Sequence, residues 1–463
     1  MQRRSDEASY LSKPYCQATL AEHREAELDP VERHLRQHLG VERSEMGRHA
    51  SKHPVYDLPQ IHNALAACLP KWKLEFEAGG EREWRNWCPS RVRWQIRPGE
   101  WRDFVDNGSL FYRLPNGKGR VLTLSGPHNT GDGEYYEFAI ISRRDDHKAV
   151  TEEFSILERW MRDNHYLRRQ TLRADGSLLP QLPNLTWDDV SLPGHVREAL
   201  VENTAGLLER RQLFRKYGVP QKRGLLLHGP PGTGKTMIGK VLASQGLATF
   251  IYATAGDCES LPSMRHLFQL ARRLRPTILF LEDLDLFGAD RYSQLRTGPL
   301  GELLAQMDGL EGNDGLIIVA TTNDLDAIEP ALKDRPSRFD VVLEIGMPEK
   351  TERRRIVELS LPASVCSPIV SNELTEATDG FSGAQVRELA YLAMQAALLR
   401  GDIGDTTRLV VEDVDIKKAR QQIIGSRKRD GKVGFAYRGA GAELVTNTAP
   451  GPRRHGIRCK VRQ

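Results

Sequence analysis

A chain of 463 residues, 28% charged and 39% hydrophobic, is long and apolar enough to bury two or three globular cores. Its net charge of +4 is small for this length and argues for no particular partner, and no apolar run approaches the roughly 18 residues of a membrane span. The 6 cysteines (Cys16, Cys68, Cys88, Cys258, Cys366 and Cys459) lack C-x-x-C spacing and no H-E-x-x-H occurs, which excludes a zinc-protease centre and leaves reduced, structural thiols.

Residues 1–52 are polar and strongly charged. The opening MQRRSDEASYLSKPY lacks the apolar core of a secretory signal, so a cytoplasmic protein is expected. HREAELDPVERHLRQHLGVERSEM can form a helix but shows little apolar stripe, and the segment is expected to be disordered and solvated. From Val55 the texture changes. Trp72, Trp84, Trp87, Trp94 and Trp101 fall close together, and all 7 Trp precede residue 225, which implies a small α+β domain over residues 53–178 that receives a substrate or adaptor. Within it GRVLTLSG and EYYEFAIISRR read as strands joined by the turn-rich PHNTGDG, a hairpin. Phe154, Leu157 and Trp160 then mark a helix over residues 148–167. Clustered Trp and Arg suit stacking on nucleic acid, but aromatics in such a cluster more often build a core.

Loop-like residues 176–183 read as a linker into an α/β domain over residues 179–348. Val196, Leu200, Leu207 and Leu208 recur at helical spacing before the apolar residues 225–227, which run into Gly229, Pro230, Pro231, Gly232, Thr233, Gly234, Lys235 and Thr236. This stretch fits G-x-x-x-x-G-K-[ST] at every fixed position. The glycines let successive N–H groups converge on phosphate oxygens, and the helix from Lys235 adds the positive end of its dipole. Lys235 supplies a cation for the β/γ-phosphates and Thr236 a hydroxyl for Mg²⁺, with Met237 next in the first helical turn beside the nucleotide. Helices over 235–245, 263–274 and about 301–307 alternate with strands at ATFIYATA, 277–281, 316–320 and 341–345. Alternation of this kind predicts a parallel sheet with helices on both faces and a ligand at the carboxyl ends of its strands. Beyond Pro348 only helical runs follow, a lid over residues 349–425. Residues 426–463 are basic and Gly-rich and are expected to be a disordered tail.

The strand TILFL ends in Glu282-Asp283-Leu284-Asp285. Nucleotide hydrolysis needs acids in such a place, one carboxylate to fix the metal and another to orient the attacking water. With the loop GPPGTGKT and the segments LLAQMDGL, IIVATTND, DRPSRFD and GFSGAQ, roughly residues 185–420 resemble the AAA family of ATPases. The resemblance implies a P-loop AAA+ fold with a C-terminal helical lid, and ATP and Mg²⁺ as cofactors. It assigns Glu282 to the metal, Asp283 to the hydrolytic water and Asn323 to sensing the γ-phosphate. Arg335 and Arg338 match arginines that reach in from a neighbouring subunit, which implies a ring, usually a hexamer, acting on a protein partner. Gly383 and Ala384 match the lid motif, and Asp189 and Gly218 match adenine contacts made mainly through the backbone. Arg387 is a weaker match to a phosphate-sensing arginine, and a surface role is the favoured reading.

Three departures stand out. The family usually has Asp then Glu where this chain has Glu282 then Asp283, so the base is one methylene shorter and slow turnover is expected. Ser337 replaces a Gly between the two arginines. The segment GDCESLPSMRHLF lacks the aromatic-apolar-glycine loop of threading members. Its length and the acid order are similar to the mitochondrial Rieske-protein translocase branch, whose transmembrane helix has no counterpart here. Two alternatives stay open: a nucleic-acid motor or loader, suggested by the basic tail, and a slowly hydrolysing nucleotide-gated scaffold.

Overall fold

The computed structural model describes residues 30–79, 89–130, 133–180, 182–258, 261–288, 299–308, 312–326, 328, 338–400 and 409–429. An antiparallel sheet comes first, built from β1 (Met46–Pro54), β2 (Lys73–Ala78), β3 (Ser90–Arg97), β4 (Glu100–Arg113), β5 (Gly119–Thr130) and β6 (Gly133–Arg143). Its order is β1-β6-β5-β4-β2, with β3 also on β4, and β5 and β6 form the expected hairpin. Both faces are covered. Helices α2 (Leu58–Cys68) and α3 (His147–Asp163) bury Leu122, Leu124, Phe138 and Ile140 against Ile61, Phe154 and Leu157. On the other face Phe111, Val121 and Ile141 pack with Leu39 of α1 (Pro30–Leu39). Double burial explains why these strands read as apolar runs rather than as clean alternation.

The disorder expected for residues 1–52 is overturned where the chain is described. In α1, Val31, Leu35 and Leu39 repeat every four residues and pack on the sheet. β1 pairs along β6 from Met46↔Arg143 to Pro54↔Tyr135. As an edge strand it is held by its ladder more than by apolar burial, so its polar composition hid it. Residues 1–29, Trp84, Trp87 and the basic tail beyond Arg429 lie outside the described residues.

The second sheet contains β7 (Thr171–Arg173), β8 (Arg223–His228), β9 (Thr249–Thr254), β10 (Thr277–Glu282), β11 (Leu316–Thr322) and β12 (Val341–Glu344). Its order is β12-β8-β11-β10-β9-β7 and every pair is parallel. β7 precedes the expected linker, so this sheet draws a strand from the range assigned to the small domain. Three residues are too few for periodicity to reveal. Helices α4 (Gly194–Val201), α5 (Lys235–Ser244), α6 (Leu261–Arg273) and α7 (Pro299–Asp308) cover the sheet. Leu225, Leu227, Ile278 and Phe280 are buried with Ile238 and Val241 of α5 on one face. Leu226, Leu279 and Leu281 meet Leu267, Phe268 and Met307 of α6 and α7 on the other.

The lid follows as α8 (Lys350–Ser360), α9 (Pro368–Ala377), α10 (Gly383–Arg400) and α11 (Asp413–Arg429), around Val357, Leu374, Val386, Leu389 and Ala393. Two contacts seat the first sheet on α6. The hairpin residue Gly133, at φ +123, lies so near His266 that a Cβ there would come within 2.3 Å of the ring. Asp57, fully buried, accepts hydrogen bonds from His165 Nε2 at 2.9 Å and from the Arg273 guanidinium. Among the described residues no helix is long and apolar enough to cross a membrane.

Candidate nucleotide-binding site

The loop from Gly229 to Thr236 joins β8 to α5, as its sequence requires. Gly229 sits at φ +147, where a Cβ would lie 2.2 Å from the Ile345 carbonyl oxygen. Gly232, at φ +78, faces the lid, where a Cβ would meet Ser382 Oγ at 2.9 Å and Ala384 Cβ at 3.1 Å. The lid is bonded to the loop there, since Ala384 N–H donates to the Gly232 carbonyl at 2.9 Å. Small residues at 383 and 384 thus bring the start of α10 against the loop, in keeping with their sequence match.

Lys235 is buried, and its Nζ donates to the carbonyls of Gly229 at 2.6 Å and Pro230 at 2.8 Å. Burial lowers its pKa, while Asp283, Asp285 and Glu282 oppose that shift. Parallel pairing puts the ends of β8, β10 and β11 along one edge, so the acids of β10 face the loop. One Glu282 carboxylate oxygen accepts from the Thr236 hydroxyl and the other from the Tyr252 hydroxyl. Asp283, just past the strand at φ +54, turns toward β11 instead. Its N–H donates to Thr321 Oγ1 at 3.0 Å and its Oδ1 accepts from Asn323 Nδ2 at 3.0 Å. Burial raises the Asp283 pKa, as do Asp285 and Glu282, while Lys235 and Asn323 pull it down. Asp285 accepts from Thr322 Oγ1 at 2.8 Å and from the Asn323 N–H at 3.1 Å, which pins the turn carrying Asn323.

Of these groups Lys235, Thr236, Glu282, Asp283, Thr321 and Asn323 line one side of a cavity of about 340 Å³ that also reaches Asp189, Ile356, Leu359, Gly383 and Ala384. Its size suits a small molecule, with a polar end at the loop and an apolar end toward α8. The Asp189 carboxylate caps its own turn, accepting from Thr186 N at 2.7 Å and Oγ1 at 2.9 Å, so any contact to a base there falls to the backbone. Ser191 Oγ donates to the Glu352 carbonyl at 3.1 Å and ties this segment to α8.

Not every expected residue converges. Gly218 does not line the cavity; it sits at φ +67 in a turn with open space around it. Arg338 is off the cavity as well, with Nε donating to Asp308 Oδ2 at 2.8 Å at the end of α7. Arg335 lies outside the described residues. Arg387 is exposed, as the favoured surface reading has it, and also lines the cavity one turn into α10. Tyr252, Ile356 and Leu359 were not foreseen as site residues. They belong to no motif and reach the site only through the packing of β9 and α8.

Residues 225–347 match the family model described as "ATPase family associated with various cellular activities (AAA)". The chain is 32% identical over 264 residues to a proteasome-activating nucleotidase of Saccharolobus solfataricus, covering 53% of this chain and 66% of that protein. It is 36% identical over 231 residues to a cell division cycle protein 48 homolog of Archaeoglobus fulgidus, covering 47% of this chain and 31% of that protein. Protein CdcH of Halobacterium salinarum is 32% identical over 267 residues, 53% of this chain and 36% of that protein. The matches therefore span just under two thirds of the nucleotidase's length and about a third of the other two. The phosphate loop, the paired acids and the lid meet around one cavity on a parallel sheet, and residues 225–347 form a domain of the AAA family of ATPases.

Proposed function

We propose that this protein hydrolyses Mg-ATP at sites shared between the subunits of a ring and uses the energy to remodel, assemble or translocate a protein partner. The observation that carries this reading is the division of the two acids, with Glu282 bonded to Thr236 and Asp283 to Asn323 at the mouth of one loop. The residues present fit Mg²⁺, because hydroxyl and carboxylate oxygens are the hard donors it takes. Thr236 and Glu282 would hold it, one or two protein ligands beside phosphate oxygens being its habit. When bound, the metal neutralises charge on the phosphates. Lys235 and the loop N–H groups hold the β/γ-phosphates, and Asn323 fixes Asp283 so that its carboxylate orients a water and takes its proton. The raised pKa of Asp283 makes it a stronger base than an exposed aspartate. Arg387 is placed to meet phosphate from the lid, and Ile356 and Leu359 to flank the base.

Arg338, held by Asp308 and away from its own cavity, suits action on a neighbour's phosphates, and with Arg335 it supports a ring, a hexamer by family habit. The names of the nucleotidase and division-cycle relatives favour a protein substrate. The short connection from β9 to α6 and the Glu-Asp order favour work without threading, as in the Rieske-protein translocase branch, a likeness that rests on those residues alone. To test the site, phosphate release is measured for the parent and for Lys235→Ala, Asp283→Asn and Arg338→Ala. Each variant is expected to lose about 100-fold or more. Equal rates in all four would contradict the assignment.

A further inference from the structure

Glu282 stands where the family usually has Asp, and its extra methylene adds a rotatable bond between backbone and carboxylate. A carboxylate on a longer tether places a metal less well unless both oxygens are held. Thr236 holds one oxygen; the hydroxyl of Tyr252 donates to the other. We propose that Tyr252 is a positioning residue for the metal-binding carboxylate, the second clamp that lets a glutamate do at residue 282 what a shorter aspartate does elsewhere.

The clamp is rigid. Tyr252 pairs with Phe280 across the β9–β10 ladder, and Glu282 follows Phe280 by two, so all three side chains share one face of the sheet. The tyrosine ring stacks on Phe280, with centroids 6.3 Å apart and planes within 13°. It is only partly buried. Such outer partners fix a ligand's orientation, and their loss typically costs 10- to 100-fold in metal affinity. Tyr252 touches neither phosphate nor water in this scheme and acts through Glu282 alone.

The proposal rests on the reading of the cavity as an Mg-ATP site, so its test separates the two. Binding of a fluorescent ATP analogue to the full chain is titrated in Mg²⁺ and in EDTA, for the parent, Tyr252→Phe, Glu282→Asp and the double variant. Phenylalanine keeps the ring on Phe280 and removes only the hydroxyl. Tyr252→Phe is expected to cut the gain in affinity due to Mg²⁺ by about 10-fold and leave binding in EDTA unchanged. In the Glu282→Asp background the shorter carboxylate cannot span both hydroxyls, so the same change should cost less than about 2-fold. A loss equal in Mg²⁺ and EDTA, or equal in both backgrounds, would overturn the proposal, because it would mark a packing role. A parent that binds without gain from Mg²⁺ would overturn the Mg-ATP reading itself, and this proposal with it.

Discussion

At the end of β10 two neighbouring carboxylates face different partners, and backbone conformation separates them. Glu282 ends the strand and points at Thr236 and Tyr252, whereas Asp283, at φ +54, swings to Asn323. Asp tolerates that conformation better than most side chains. Their exchange of order relative to the family is therefore an exchange of side-chain length at fixed positions. Distinct losses follow. Glu282→Gln should weaken nucleotide binding in Mg²⁺, while Asp283→Asn should keep it and lose turnover by about 100-fold. Calorimetric titration beside steady-state hydrolysis checks the split, and parallel losses in both variants would contradict it. Lys235, Thr236 and both acids were legible in the sequence, since each chemistry needs one residue type at one spacing. Arg387 was legible only as a weak match and Tyr252 not at all, because nothing local says that the hydroxyl on β9 reaches Glu282.

Among the elements of the lid, α10 brings its N-terminus against the phosphate loop. The Gly232 carbonyl accepts from Ala384 N–H at 2.9 Å, and the space beside Gly232 is filled by Ser382 and Ala384. Gly232→Ala thus strains the loop and pushes on the lid together. It is expected to destabilise the fold by about 1 kcal/mol or more and to weaken nucleotide binding, read by thermal melting with and without ATP. Unchanged melting in both conditions would contradict the close lid contact. Long periodic elements such as α3, α5 and α10 were readable from their apolar spacing. The misses have physical causes: β1 is a polar edge strand fixed by its ladder with β6, and α1 has only a three-residue stripe. β7 is set by pairing with β9 rather than by its own pattern.

The two sheets meet at α6, among other contacts, and this helix carries His266 and Arg273 and leads into the acid-bearing strand β10. Burial pushes the Asp57 carboxyl up, but hydrogen bonds from His165 and His53 and the charge of Arg273 outweigh it and bring the pKa to about 2. Burial also lowers the His165 pKa, and the neutral ring fits its bonds, with Nε2–H donating to Asp57 and Nδ1 accepting from Leu167 N–H at 3.2 Å. Arg273 is thus the cation that balances Asp57. Both folded pKa values lie below their unfolded ones, 6.5 for His and 3.8 for Asp, so the folded state binds fewer protons. Stability should begin to fall as pH drops below about 6.5 and fall further between about 4 and 2, where the Asp57 term of roughly 2 kcal/mol is lost. Arg273→Ala should cost about 3 kcal/mol by stranding a buried carboxylate. Denaturant midpoints at pH 7 and pH 5 check both, and a parent equally stable at the two values would contradict the first. The order of domains was visible in the sequence, but this docking was not, because Asp57 and Arg273 are 216 residues apart.

The proposed sharing of the site between subunits makes the sharpest demand on the whole molecule. Lys235→Ala and Arg338→Ala chains, each inactive alone, are mixed over a range of ratios and phosphate release is followed. Activity should return and peak near equal amounts, because a Lys235→Ala subunit offers its intact Arg338 to the intact loop of an Arg338→Ala neighbour. Mixtures that co-assemble but recover no hydrolysis at any ratio would contradict the shared site.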